Sequence, residues 1–304
     1  MNILLTGANG FLGSSILKML VANHDVSITL RKHSNLNRIK EVLDIYTVEK
    51  LFVDTDNIDF FFKNKKIDLI VHCATDYGRQ DETFDKVHES NLLFPLKLLE
   101  TGLKYDLKWF LNTDSYFNKN NLTYNALPHY SKTKKIFAGY LKDMGKKIVT
   151  INMRLEHIYG SNDSESKFIP WLLDKLVNND DVDLTSGDQK RDFIYIDDVT
   201  DAYQKVISSL DKSYNPGFKD LEIGSGSSIK LKIFIETIRD ALDSKSLLNF
   251  GSLDYRDDEI MNSVANSSLE KFGRLHDLIF SFRSIDVGAQ ILAQNYSAKL
   301  EKKR

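Results

Sequence analysis

Three glycines, Gly7, Gly10 and Gly13, recur at intervals of three in the run Thr6-Gly7-Ala8-Asn9-Gly10-Phe11-Leu12-Gly13. An apolar stretch at residues 2–6 precedes them and an amphipathic one at 11–22 follows, so they sit where a strand turns into a helix. The pyrophosphate of a dinucleotide needs a tight turn, a backbone it can approach, and a helix N-terminus whose N–H groups face the anion. Gly7, Gly10 and Gly13 supply these in order, and Asn9, Phe11 and Leu12 belong to the same candidate cofactor loop. A plain glycine-rich turn is the competing reading, which the flanking strand and helix disfavour.

An acidic residue to grip an NAD ribose is expected about 20 residues further on, but the sequence there is Leu30-Arg31-Lys32-His33-Ser34. Two cations and a hydroxyl suit a 2′-phosphate, so Arg31, Lys32 and Ser34 predict NADPH/NADP over NAD. A solvated surface cluster is the alternative. Asp54, just past a short strand at 51–53, either accepts from the adenine amino group or serves as a turn residue.

Tyr130 and Lys134 lie four apart at the opening of a helical pattern, and so on one face. A tyrosine with its ordinary pKa near 10 is a poor acid or base at neutral pH, and a cation beside it lowers that value. Lys134 is the expected cation. Thr113, after the apolar run 109–112, projects from the C-terminal edge of a sheet and offers a hydroxyl to a substrate oxygen beside Tyr130. Ser115 competes for that role, and either hydroxyl also suits a local turn.

These residues need a frame of alternating strands and helices. Strands are expected at 2–6, 26–30, 51–53, 67–73, 109–112 and 148–153, with helices at 11–22, 92–103 and 132–141. The alternation predicts an α/β fold, a Rossmann-type doubly wound parallel sheet. Past Arg154 the rhythm changes: a polar loop at 161–166, a helix at 169–177, strand-turn-strand at 182–196, a helix at 199–208, turns at 213–217, a strand at 221–223, a helix at 231–242 and a charged tail at 299–304. We therefore expect a cofactor domain of residues 1–155 plus 189–212 and a smaller C-terminal lobe of 156–188 plus 213–304.

The chain has 304 residues, 42% hydrophobic and 28% charged, enough for a substantial core. With 41 Lys+Arg against 43 Asp+Glu it lacks the basic excess of a nucleic-acid binder. A single cysteine, Cys73, excludes an internal disulfide, and no Cys/His spacing of a metal site is present. No run is long enough to span a membrane, and no basic region precedes the first apolar run, so neither a membrane association nor a signal peptide is expected. The expected compartment is the cytoplasm.

Beyond the glycine loop and the Tyr130/Lys134 pair, the chain resembles the extended short-chain dehydrogenase/reductase family, whose members act on nucleotide sugars. Val71-His72-Cys73-Ala74-Thr75 resembles its fourth strand, making Ala74 and Thr75 cofactor contacts by resemblance. Glu89-Ser90-Asn91 resembles a helix start bearing a structural asparagine, and Asn91 joins the cofactor set. Arg154-Leu155-Glu156-His157-Ile158-Tyr159-Gly160 is similar to the segment near the nicotinamide, with Leu155 where proline is usual. The run from Gly187 through Arg191, Asp192 and Phe193 to Val199, and Tyr255-Arg256, resemble substrate-binding passages. The resemblance implies that Arg191 and Arg256 hold substrate phosphates, a task a guanidinium fork suits, although each alone would be read as a surface ion-pair partner. Tyr77, Asp114 and His157 are the other candidate substrate contacts, His157 also reading as a packing residue; residues 76–79 and 156–167 are expected to line the pocket. A homodimer through the 92–103 and 132–141 helices is implied as well.

Three reactions share that scaffold: 4-epimerisation, 4,6-dehydration and reduction of a 4-keto sugar. In dehydratases the run is Thr-Asp-Glu, with the glutamate as carbon base; here it is Thr113-Asp114-Ser115, and serine has no useful basicity near pH 7. The cations after the second strand favour released NADPH, hence a 4-ketoreductase like those that complete bacterial deoxyhexoses, with an NAD-dependent 4-epimerase as the alternative. A non-enzymatic NADP(H) sensor would keep the glycines but have no need of Tyr130 and Lys134.

Overall fold

The computed structural model describes residues 1–78, 83–119, 127–210 and 215–301. Arg79, residues 213–214 of the expected turns and 302–304 of the expected tail lie outside them. The chain forms two compact units, Met1–Leu155 with Thr200–Leu221, and Glu156–Val199 with Glu222–Arg304.

The first unit runs β1 (Asn2–Thr6), α1 (Phe11–Leu20), β2 (Asp25–Leu30), α2 (Lys40–Ile45), β3 (Glu49–Phe52), α3 (Ile58–Asn64), β4 (Leu69–His72), α4 (Phe84–His88), α5 (Phe94–Lys104), β5 (Trp109–Ser115), α6 (Pro128–Met144) and β6 (Val149–Leu155). Its sheet has seven strands in the order β3-β2-β1-β4-β5-β6, closed at the far edge by Gly217–Ile223. Pairing is parallel from β3 through to β6. The strand order reverses between β1 and β4, and in such sheets the crevice at that reversal, at the C-terminal ends of the strands, takes the ligand. All four residues of β4 are buried, as a strand covered on both faces requires. Behind it Leu98, Leu99, Phe110, Phe137, Leu141 and Ile148 form one apolar core. Phe110 and Phe137 meet edge to face at 5.8 Å, fastening α6 to β5.

Helices α2, α3 and α4, of 6, 7 and 5 residues, were not expected from periodicity, because so few turns carry too little apolar repeat to register. Glu89–Leu93 is a π-turn joining α4 to α5, so Glu89-Ser90-Asn91 lies within a helical run and does not begin one. β5 extends to Ser115, carrying Thr113 and Ser115 into the strand itself.

In the second unit Phe193–Tyr195 pairs in parallel with His157–Tyr159, and Lys190–Arg191 pairs with Ile229–Lys230 and Asn262–Ser263. These pairings draw residues 189–199 into this unit, whereas the strand begun at Gly217 extends the first unit's sheet; the sequence expectation had both segments the other way round. Phe193 stacks on Phe234 at 3.8 Å and Tyr159 meets Phe234 edge-on at 5.1 Å, giving the unit its own aromatic core.

Candidate active site

The glycine loop follows β1. Gly7 has φ +68°, and a Cβ there would lie 2.6 Å from the Ala74 nitrogen, in the chain leaving β4. A Cβ on Gly13 would overlap the Gly7 carbonyl oxygen, so a glycine is required for α1 to approach the turn. The Gly10 N–H donates to the Gly7 carbonyl at 2.9 Å, closing the turn. Gly10 caps α1 without a side-chain bond, and no acidic residue occupies the first helical turn. A backbone cradle with no room for a Cβ, leading into a helix N-terminus free of carboxylates, fits a dinucleotide pyrophosphate.

After β2 the chain makes a turn in which the Arg31 N–H donates to Ser34 Oγ at 3.0 Å and the Ser34 N–H to the Arg31 carbonyl at 3.0 Å. The Lys32 N–H donates to both Asp54 carboxylate oxygens, at 3.2 and 3.0 Å. Asp54 thus holds the turn after β2. Asn9 Nδ2 donates to the Asn35 carbonyl at 3.2 Å and Arg38 Nη1 to the Asn9 carbonyl at 3.4 Å, which brings residues 35–38 onto the glycine loop. Arg38 is a cation that the motif search missed; its signal was residues 31–40, which hold Arg31, Lys32, Arg38 and Lys40 and no carboxylate.

Beyond β4, Thr6 Oγ1 accepts from the N–H groups of Cys73 and Ala74, both at 3.1 Å, and lies 2.8 Å from His72 Nδ1. The buried Asn91 accepts from the Asp76 N–H at 2.7 Å and from Thr75 Oγ1 at 3.2 Å, and donates to the Asp76 carbonyl at 2.7 Å and Thr133 Oγ1 at 3.3 Å. With its amide taken up by Thr75, Asp76 and Thr133, Asn91 clamps the loop after β4 to α6, and so positions the cofactor loop where a direct cofactor contact was expected.

Tyr130 and Lys134 are buried on one face of α6, with the ammonium 6.0 Å from the Tyr130 ring centre. Lys134 Nζ donates to the Thr113 carbonyl at 2.8 Å. Tyr77 stacks on Tyr130 at 5.0 Å, and Phe117 meets it edge-on at 6.3 Å. The Ser115 hydroxyl is close enough to act on the Tyr130 phenol, favouring its ionised form. The Thr113 hydroxyl instead meets Tyr203 at 2.8 Å and Cys73 Sγ at 3.2 Å. Of the two candidate hydroxyls, Thr113 is thus engaged by a residue 90 positions away in sequence, and Ser115 is the one that acts on Tyr130.

Burial raises the Tyr130 pKa well above 10, with Tyr77 and Asp114 adding to it and the Ser115 bond opposing. Burial lowers the Lys134 pKa, while Asp114 and Cys73 oppose. In the Tyr130 shift burial outweighs the Ser115 bond, the effect that lowers it. Burial likewise pushes the Cys73 thiol to about 11, with Thr113 and Lys134 opposing.

Asp114 acts by its charge on Tyr130 and Lys134, while its carboxylate is taken up by the protein. It is buried and accepts from the Ser115 N–H at 2.8 Å, Asn118 Nδ2 at 2.7 Å and Asn152 Nδ2 at 2.8 Å, with Arg154 Nε 3.9 Å away. Leu155 is buried at the end of β6, in register with Ser115.

In the second unit His157 packs edge-on to Phe193 at 5.8 Å, its Nδ1 3.7 Å from the Glu156 carboxylate. Arg191 is buried and pairs with Glu259 at 2.5 Å, while donating to the Lys190 carbonyl at 2.9 Å. Two of the five guanidinium donors are so engaged. Glu259 lies in the turn that begins at the exposed Arg256, so the two expected phosphate-binding arginines share one local structure. Asp192 accepts from Ser225 N–H and Oγ, the Gly226 N–H and the Ala265 N–H, and so ties three strands' ends together.

A parallel α/β sheet with a glycine cradle at its switch point and a buried Tyr/Lys pair beyond it defines a nucleotide-dependent oxidoreductase class of site. The family model for the NAD dependent epimerase/dehydratase family matches residues 3–224, and the chain belongs to that family. It is 38% identical over 273 residues to a CDP-abequose synthase of Salmonella muenchen, covering 88% of this chain and 89% of that one. A dTDP-4-dehydro-6-deoxyglucose reductase of Escherichia coli is 25% identical over 273 residues, covering 82% and 84%. Among solved structures, a UDP-N-acetylglucosamine 4-epimerase from Methanobrevibacter ruminantium M1 shares the fold with a TM-score of 0.82 at 20% identity, over 98% of each chain. Among the described residues no helix is long and apolar enough to cross a membrane.

Proposed function

We propose that the protein reduces the C4 ketone of a CDP- or dTDP-linked 4-keto-6-deoxyhexose with NADPH, in the assembly of bacterial surface-polysaccharide deoxysugars. The carrying observation is the setting of Tyr130: buried beside Lys134 on α6, with Ser115 acting on its hydroxyl and no side chain of residues 113–115 available as a carbon base. A ketone taking up hydride needs a proton at the developing alkoxide, and a tyrosine that still holds its proton is the donor for it. The names of the relatives, a CDP-abequose synthase and a 4-dehydro-6-deoxyglucose reductase, support the same reading.

Reduced nicotinamide, when bound, supplies the hydride. Gly7, Gly10 and Gly13 would hold its pyrophosphate, and Arg31, Lys32 and Ser34, with Arg38 beside them, its 2′-phosphate. Lys134, anchored on the Thr113 carbonyl, keeps a positive charge beside Tyr130 and so favours the tyrosinate left after proton transfer. Ser115 orients the Tyr130 hydroxyl, and Tyr77 covers it. Arg256 is assigned to the substrate phosphates. The exposed Leu93 and Ile136, beside α5 and on α6, support a homodimer through that face.

The test mixes purified protein, NADPH and CDP- or dTDP-4-keto-6-deoxyhexose, the sugar made in situ by a separate dehydratase, and follows NADPH absorbance. Oxidation in proportion to sugar consumed is the expected result. No oxidation with either sugar, together with interconversion of a UDP-hexose and its C4 epimer, would replace the reductase with the NAD-dependent epimerase.

A further inference from the structure

The sheet order puts β1 between β2 and β4. Arg31 follows β2, and the half-buried Ser90 lies in the π-turn of the helical run reached from β4. Arg31 Nη2 nevertheless donates to Ser90 Oγ at 2.9 Å. That bond joins the two flanks of β1, and so crosses above the strand end where the glycine cradle begins.

An exposed arginine ordinarily samples many rotamers, and ordering it costs free energy when a ligand is bound. Here the ordering is built in. One N–H of the fork is given to Ser90, leaving the rest of its five donors. Ser90 Oγ accepts from the guanidinium, and its own proton remains for an anionic oxygen. Together they form a cation and a hydroxyl donor held side by side, a pairing suited to a phosphate monoester.

We propose that Ser90 positions Arg31 across the cofactor cleft as the second member of a 2′-phosphate site, and so sets the preference for NADPH over NADH. The proposal rests on the reading of Arg31, Lys32 and Ser34 as NADPH-binding. Ser90 stands 59 residues from Arg31, and the Glu89-Ser90-Asn91 motif gave it no role of its own.

The test is calorimetric binding of NADPH and NADH without sugar, to the intact protein and to Arg31→Ala, Ser90→Ala and Ser90→Thr. Wild type should prefer NADPH, and Arg31→Ala should lose most of that preference. Loss of one exposed hydrogen bond should weaken NADPH about three- to tenfold in Ser90→Ala, with NADH within about twofold of wild type. Ser90→Thr, which keeps the hydroxyl, should restore NADPH binding. Equal weakening of both cofactors in Ser90→Ala would make Ser90 a support of the π-turn alone and overturn the proposal. An unchanged preference in Ser90→Ala, with the preference lost in Arg31→Ala, would overturn it while leaving the NADPH reading intact. Wild type that binds NADH as tightly as NADPH would remove both.

Discussion

The two faces of β5 carry polar side chains at the same depth, to opposite ends. Successive residues of a strand point to opposite sides, so Asn112 and Asp114 face one way and Thr113 and Ser115 the other. On the first face Asn112 donates to Asn152 at 2.7 Å, Asn152 to Asp114 and to Asp220, and Arg154 to Asp220 at 2.6 Å. That network joins three neighbouring strands and runs from the buried Asn112 out to the exposed Asp220. On the second face Ser115 meets Tyr130, and Lys134 is held by the Thr113 carbonyl. Buried polar groups that satisfy one another fix structure, whereas a buried hydroxyl with donor capacity left is available to a substrate. Sequence alone made Asp114 a ligand contact; its pairing makes it architecture.

The largest effect should come from the open face. Tyr130→Phe removes the proton donor and should lower turnover about a thousandfold, while the melting temperature and the NADPH dissociation constant stay near wild type. Near-normal turnover would take Tyr130 out of the chemistry and leave the two faces alike.

Breaking the first face should cost stability instead. Asp114→Ala strips Asn152, Asn118 and Arg154 of a buried acceptor, and should destabilise the fold by about 2–4 kcal/mol, read from urea unfolding. A loss under about 1 kcal/mol would show that Asp114 is not structural. That network was not legible beforehand, because its partners come from β6 and from Asp220, far along the chain.

What was legible has a local cause. The glycine loop reads directly because strand, turn and helix are consecutive and each glycine answers one steric demand. Tyr130 and Lys134 read directly because helical spacing alone puts them on one face. The pairings that set how these side chains are held, Thr113 with Tyr203, Arg191 with Glu259 and Arg31 with Ser90, span 90, 68 and 59 residues. No periodicity or motif encodes contacts of that range; the tertiary fold creates them.

Ser115 and Thr113 sharpen the comparison within the open face itself. Ser115→Ala removes the bond that orients the Tyr130 hydroxyl and should lower kcat about tenfold with little change in KM, since it acts at the proton being transferred. Thr113→Val leaves the carbonyl that anchors Lys134, and should change kcat by less than about threefold while costing about 1 kcal/mol of stability for its hydroxyl bond. The opposite order of effects on kcat would return the substrate-side hydroxyl to Thr113, as the sequence had it.

The smallest effect separates the open face from its backing by pH. Burial raises the Tyr203 pKa well above 10, with Cys73 adding and the Thr113 bond opposing. Below pH 10 both folded and unfolded chains hold this proton, and its contribution to stability is complete. As the pH rises past 10 the unfolded chain releases the proton while the folded chain keeps it, so stability falls by up to about 1.4 kcal/mol per pH unit for this one group. Tyr203→Phe should remove one proton's worth of that slope from alkaline unfolding above pH 10, and Tyr130→Phe another, its pKa being raised in the same direction. Because Tyr203 touches the Thr113 hydroxyl and not Tyr130, its loss should leave the catalytic pH profile near neutrality unmoved. A shifted profile in Tyr203→Phe would mean that Thr113 transmits charge to the reacting proton, and that the open face works as one hydrogen-bonded unit.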